Sequence, residues 1–452
     1  MTSTGSRTAA VAPEDDTTVA RPGAAGRLRS LGRPPRIMGL DIARGLAVIG
    51  MFAAHMAGAP TIEWGVPETW GGVVHGRPAI LFALLAGVST ALITGRTRRP
   101  ERDEMPAMRA LLVRRGLTIF AIGLVLELLH TNIAVILSVY GVLFLCAIPF
   151  LRWRVRSLVI GAVGLAVAGP FLLAALNVLL FNPTGPGIDL AVFGMYPVPV
   201  WLALMLAGMA IGRVRLDGAR IAAGLVLIGL GLAVLGYVAG ASVAAGVDTA
   251  TVDTGASSST GAAATPGADP QAIDPSQLAA VDTTGMTCQV LPQQWLTCWN
   301  PTAGEAGSDP GESYSARLAA SDPVRTGLAS ALAVAEHSGG VFEIVGSGGF
   351  AVAVLGLCLL LARPLRWLLL PIASLGMMPL TTYSVHVVIY WLAAGGPQGT
   401  LNPSVALWAW TTVGLLTAAT AWTILFGRGP LERLVAAVAR RGSPARTTQK
   451  IE

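Results

Sequence analysis

Lysine is almost missing from this sequence: Lys450 is the single lysine among 31 basic residues, the rest being arginine. Charge of either sign is also scarce. Charged residues make up 12% of the 452 positions, against about 25% in soluble domains, which excludes an ordinary water-soluble globule. Cysteine occurs four times, at 146, 288, 298 and 358, with no second ligand pair at a spacing that would suit zinc. No Walker-type loop, GxGxxG after a strand, HExxH or GxSxG is present, so the familiar phosphate-loop, dinucleotide, zincin and nucleophile-elbow chemistries have no motif to stand on. In their place the chain is 53% hydrophobic with a mean hydropathy of +0.64, the balance of a polytopic membrane protein.

A span needs about 20 mostly apolar residues. That measure predicts an all-α membrane protein of about ten transmembrane helices, at 38–58, 77–95, 112–130, 133–151, 157–180, 198–212, 221–246, 341–362, 370–393 and 404–427, with the sixth short enough to start at Met195. With an inside N-terminus, all basic residues except Arg77, Arg317 and Arg325 fall on the cytoplasmic side, and so do both termini. The implied organisation is a disordered cytoplasmic tail (1–35), helices one to seven (36–246), an extracytoplasmic loop (247–340), helices eight to ten (341–435) and a second cytoplasmic tail (436–452). A cleaved signal peptide ending near Ala57-Gly58-Ala59 is disfavoured by Asp41 and Arg44 inside its apolar stretch.

The long loop opens with low-complexity "DTATVDTGASSSTGAAATPGAD", a flexible linker by composition. "TCQVLPQQWLTCWN" follows, and in an oxidising compartment a Cys288–Cys298 disulfide is its expected use, two free thiols the alternative. "SARLAASDPVRTGLASALAVAEHSGG" suits a short amphipathic helix on the outer surface. Cys146 and Cys358 fall in spans, where a thiol packs as a small apolar group.

Polar residues within the spans carry the functional signal. In "GLDIARGLAVIGMFAAHMAG", Asp41 and Arg44 are three apart, and His55, eleven residues on, lies about 20° from the same direction and about 16 Å further outward. An interfacial ion pair at the headgroups accounts for Asp41 and Arg44 as well as a working site does. All five histidines (55, 75, 130, 337 and 386) fall on the outer side, beside Arg77, Glu127, Asn132, Glu336 and Glu343. Glu127 and His130 are spaced so that a carboxylate can orient an imidazole, and histidine is the usual general base near pH 7. On the inner side the Arg-rich segment "GRTRRPERDEMPAMRALLVRR" fits an anionic ligand or anionic lipid. Nothing in the pattern calls for a metal or a nucleic acid.

"RIMGLDIARGLAVIGMFAAH" resembles the opening signature of heparan-α-glucosaminide N-acetyltransferase-like and YeiB-like membrane proteins. Agreement continues in "GRPAILFALLAGVSTAL", "AVILSVYGVLFL", "YPVPVWLALMLAGMAIGR", "HSGGVFEIVGSGGFAVAVLGLCLLL", "LGMMPLTTYSVHVVIYW" and "GRGPLERL", covering most of 36–435. Gly340 and Met377 stand where the pattern usually has Thr and Arg. The resemblance implies a transmembrane acyltransferase that takes an acetyl-like group from cytoplasmic acyl-CoA to an extracytoplasmic envelope glycan or lipid, as a monomer or homodimer in the cytoplasmic membrane. Under it, His75 is the general base or acyl carrier and Arg77 stabilises negative charge. Glu127, His130 and His337 line an outer vestibule, and Asp41, Arg44 and His55 serve the donor. Tyr383, His386 and Glu343 support the site. A transporter or flippase, and a non-catalytic assembly protein, are the competing classes.

Overall fold

The computed structural model describes residues 23, 26–28, 36–58, 66–181, 185–252, 272–273, 287–290, 296–299 and 313–440. The tails and most of the long loop, to which several expectations above refer, lie outside the described residues. In chain order the helices are α1 (Met38–Met56), α2 (Arg77–Ile93), α3 (Met105–Glu127), α4 (Ile136–Cys146), α5 (Val155–Leu180), α6 (Val198–Gly212) and α7 (Ala219–Val252). There follow α8 (Tyr314–Ala320), α9 (Pro323–Ala331), α10 (Val341–Leu361), α11 (Leu370–Gly376), α12 (Pro379–Ala393), α13 (Val405–Leu425) and α14 (Pro430–Arg440). Among the described residues the only strands are β1 (Ala272–Ile273), β2 (Thr287–Val290) and β3 (Leu296–Trp299), antiparallel in the order β1-β3-β2. Their register sets Cys288 opposite Cys298; the side chains of both lie outside the described residues.

All ten expected segments are helical, but they are not ten equal spans. Among the described residues six helices are long and apolar enough to cross a membrane, and the pair α11–α12 makes a seventh if its two parts count as one. Helices α4 and α6 are shorter than the usual span, and α3 carries Arg109, Arg114 and Arg115 in its first half. The expected ninth span is a correction: α11 and α12 meet at 86°, because Pro379 cannot donate the N–H that would carry the first helix into the second. The outer amphipathic stretch likewise forms two helices, α8 and α9. Asp322 stops the first with a left-handed backbone and caps the second by accepting from Arg325 N–H. The sixth helix begins at Val198, after Pro197, and not at Met195.

Helix α1 is central: 72% of its apolar window is buried, against 28% for α5, 22% for α7 and 17% for α13, which face outward. Around α1 stand α2, α10, α13 and the α11–α12 bend, while α6 packs on the far side of α2 and α4 on α3, with Phe52, Leu84, Leu85, Leu143 and Met205 in the shared core. Small residues permit this crowding. A Cβ on Gly45 would strike the Ile372 carbonyl, and one on Gly376 would strike the Asp41 carbonyl, so α11 lies backbone to backbone against α1. The polar groups of α1 therefore meet protein and not hydrocarbon.

Candidate functional site

Two groups of cavities lie at opposite ends of this core. At one end, Arg44 donates to Asp41 at 2.7 Å and to Ser89 Oγ on α2 at 3.0 Å, while Arg36 stands 3.7 Å from Asp41. Arg44 borders a cavity of about 120 Å³ whose walls also include Ser89, Arg115, Tyr140, Phe144 and Glu432 among apolar neighbours. Arg115 and Glu432 also line a second cavity of about 350 Å³, where Arg36, Arg428 and Arg440 join them. Its charge is unbalanced, four arginines to one carboxylate, and that carboxylate is engaged. Glu432 accepts from Leu380 N–H (2.8 Å), Thr381 N–H (3.1 Å) and Thr381 Oγ–H (2.6 Å), capping the start of α12. The Arg115 guanidinium lies over the Phe144 ring, and its buried Nε has no hydrogen-bond partner. Burial, then the charges of Arg440 and Arg36, lower the Arg428 pKa, so an anion placed among these groups would relieve their repulsion.

At the other end, His55 Nδ1 lies 3.0 Å from His386 Nε2, and His386 Nδ1 lies in close contact with the Tyr383 carbonyl. A carbonyl only accepts, so His386 carries its proton on Nδ1 and presents a bare Nε2. His55 must then donate from Nδ1, which leaves the lone pair of its own Nε2 unused. The rings stack at 5.3 Å with 10° between planes, and Phe52 packs on His386, which is wholly buried. His55 faces a small cavity of about 30 Å³ whose walls include Tyr196, His337 and Tyr383.

His337 is held by a folded loop. Glu343, in the first turn of α10, accepts from His337 N–H (2.6 Å), Gly339 N–H (2.7 Å) and Ser338 Oγ–H (3.2 Å). That grip fixes His337 and Gly339 in left-handed conformations, φ 62° and 67°. Burial, and then the neighbouring His75, push the His337 pKa down to about 4, so its imidazole is neutral at pH 7.

The two ends are separated by a thin partition. Phe82, Tyr140 and Leu380 line the inner cavity, while Ala79, Ile136 and Tyr383 line the outer one. On α2 and α12 the step is three residues, about 4.5 Å of helix. Tyr140 closes it, its hydroxyl donating to the Ala79 carbonyl at 2.9 Å. Arg44 and His55 line different cavities, so the shared face of α1 serves one cavity at each end.

Several expected site residues sit elsewhere. Arg77 lines neither cavity: it donates to Tyr237 (2.7 Å) and to the Gly72 and Val73 carbonyls, with Glu336 at 3.9 Å, clamping the segment before α2 to α7. His75 packs edge-on against His337 behind the cavity wall. Glu127 and His130 are exposed at the end of α3, Glu127 accepting from Ser138 and His130 turned to the Leu128 carbonyl. They form no unit with the other histidines. Glu343 orders a loop, and His55 lines the cavity of Tyr196, His337 and Tyr383 and not the one that Arg44 lines. Ser89, Tyr140, Tyr196 and Glu432 escape sequence reasoning, whereas Arg115 ends the Arg-rich segment expected to meet an anion; for Glu432 the signal was a charge beside an apolar helix. Among the described residues no cluster of His, Cys, Asp and Glu gathers as a metal site.

Residues 36–236 match the family model described as heparan-alpha-glucosaminide N-acetyltransferase, catalytic. No curated protein and no solved structure matches the chain. His337, Tyr383, His386 and Glu432 all lie beyond the matched stretch, so the later helices complete what the matched ones begin.

Proposed function

We propose, from the match of residues 36–236 to the heparan-alpha-glucosaminide N-acetyltransferase catalytic model, that this multi-pass membrane protein transfers an acetyl-like group from cytoplasmic acyl-CoA to an extracytoplasmic envelope glycan or lipid. The observation that carries the reading is the pair of cavities end to end, separated by about one helical turn. The arginine-rich cavity suits the phosphates of the donor, and the narrower apolar one suits its extended thioester arm. The positive-inside distribution of arginine supports a cytoplasmic position for that end and for both termini. Cys288 and Cys298, opposite each other in the strand register, then lie outside and form a disulfide.

In this mechanism the thioester carbonyl reaches the partition at Tyr140. The acceptor's lone pair attacks it from the outer cavity, and the acceptor's proton passes to His55 Nε2. The C–S bond breaks, the new acyl bond keeps the carbonyl, and coenzyme A leaves inward as a thiolate that takes a proton from the cytoplasm. His55 returns its proton to the outer medium. His386 keeps His55 in the tautomer that can accept, and the neutral His337 stands beside it. Tyr140 must rotate for the two cavities to join.

The test is acetyl-CoA binding and turnover by the full-length protein in nanodiscs. Arg115→Ala with Arg428→Ala is expected to weaken acetyl-CoA binding about 10- to 100-fold, the worth of charge-assisted hydrogen bonds. His55→Ala should leave binding intact and abolish CoA release. Failure of the protein to bind any acyl-CoA overturns the reading. A transporter is the second reading, favoured by the 86° break between α11 and α12 at the inner cavity. Counterflow of a labelled solute with no covalent change in it would select that one.

A further inference from the structure

A further cavity at the arginine-rich end, of about 200 Å³, lies where α1 begins and α10 ends. Arg36, Arg363 and Arg366 line it, and among the described residues its lining holds one carboxylate, Asp217. That carboxylate already accepts from Arg96 at 2.8 Å, so the cavity keeps a surplus of positive charge. Arg36 stands 3.7 Å from Asp41, whose closer partner is Arg44 at 2.7 Å. Beyond α10 the chain continues in helical turns, Leu365 N–H donating to the Leu361 carbonyl and Leu369 N–H to the Leu365 carbonyl. Leu359, Ala362, Arg363 and Arg366, at steps of three, one and three residues, therefore share one face, and that face is the cavity wall. The same turns leave Leu365, Trp367 and Leu368 exposed, and the Arg366 guanidinium lies over the Trp367 ring, 4.7 Å from its centroid. Exposed tryptophan and leucine beside arginine is the composition of a membrane–water boundary, where phosphate and acyl chains arrive together. A soluble anion would use the arginines and leave that apolar shelf without a role.

We propose that this cavity binds the phosphate of an anionic phospholipid of the cytoplasmic leaflet, whose acyl chains run off over Leu365 and Leu368. Arg36, Arg363 and Arg366 donate to the phosphate oxygens, and Leu216 and Leu359 pack on the glycerol. The leaflet follows from the inner bias of arginine, and the site itself does not depend on the acyl-transfer reading. Arg36 also lines the larger arginine-rich cavity and is therefore left unchanged in the test.

The full-length protein is titrated in detergent with phosphatidylglycerol or phosphatidylcholine of equal chain length, and bound lipid is counted by native mass spectrometry. Phosphatidylglycerol is expected to bind at least about 10-fold tighter than phosphatidylcholine. Arg363→Ala with Arg366→Ala should weaken phosphatidylglycerol about 10- to 100-fold, the scale of charge-assisted hydrogen bonds. Arg363→Gln with Arg366→Gln takes its place if thermal unfolding shows the alanine pair to be misfolded. Arg154→Ala with Arg156→Ala removes the same charge from an exposed stretch beside Trp153, and should change affinity by less than about twofold. Equal affinity for the two lipids overturns the proposal, as does an equal loss in both double variants, which is surface attraction alone. Displacement of phosphatidylglycerol by millimolar glycerol 3-phosphate assigns the cavity to a soluble phosphate and overturns the lipid. So does an equal loss of acetyl-CoA binding in the Arg363/Arg366 variant, which assigns the cavity to the donor. Lipid binding in an unsubstituted protein that binds no acetyl-CoA upholds this site while the acyl-transfer reading fails.

Discussion

Replacing His386 with phenylalanine tests the histidine relay most directly. Phenylalanine keeps a ring against Phe52 but removes the acceptor that His55 Nδ1–H uses at 3.0 Å, together with the bond to the Tyr383 carbonyl. A buried donor left without an acceptor costs about 1–3 kcal/mol. That penalty falls on the one tautomer that presents Nε2 as a base, and His55 escapes it by moving its proton to Nε2. The same 1–3 kcal/mol, applied to the population of competent base, lowers kcat about 5- to 150-fold. His386 lines neither inner cavity, so affinity for acetyl-CoA should not change. His386→Gln offers both an acceptor and a donor and should recover part of the loss. The assay is CoA release under saturating donor, beside a separate binding measurement and a thermal-unfolding check. A folded His386→Phe protein with kcat within about twofold of wild type would refute the relay.

Further outcomes follow from the packing and from His337. Gly376→Val pushes a side chain into the Asp41 backbone, and should lower stability by about 1–3 kcal/mol and weaken donor binding by displacing the Asp41–Arg44 pair; unchanged Tm and affinity would count against the close approach of α11 and α1. The folded pKa of His337, about 4, lies below its ordinary 6.5, so the unfolded chain takes up the proton first. Stability is therefore level above about pH 6.5 and falls toward pH 4, by at most about 3 kcal/mol, a slope that His337→Gln should flatten in pH-dependent Tm measurements. Cys288→Ser should abolish a mass shift seen on reduction and alkylation of the intact chain, and the absence of any shift in the unsubstituted protein would rule out the Cys288–Cys298 bond.

Much of the architecture was legible because lipid imposes a one-dimensional requirement. An apolar run long enough to cross a bilayer must be written contiguously, and each of the ten such runs is helical. The shared face of Asp41, Arg44 and His55 was legible for a similar reason, since helical periodicity relates residues on one element without reference to any other. The break at Pro379, inside the span expected to be continuous over 370–393, and its angle were not legible. That angle depends on Glu432, 53 positions away in sequence, capping α12, and on α11 lying against Gly45.

What the sequence determined by itself is thus local and additive: membrane residence, the helical segments, the inner bias of arginine and the residues fit for chemistry. Which of those residues work together was settled only by tertiary packing. His55 meets His386 across 331 positions, while Glu127 and His130, three apart and well spaced for a pair, end up exposed with other partners. Arg77, expected beside the reacting group, donates to Tyr237 and to backbone carbonyls. A side chain's chemistry is a property of its type, but its partners depend on how helices distant in sequence cross, and that is decided by the small-residue contacts that let α1 sit at the centre.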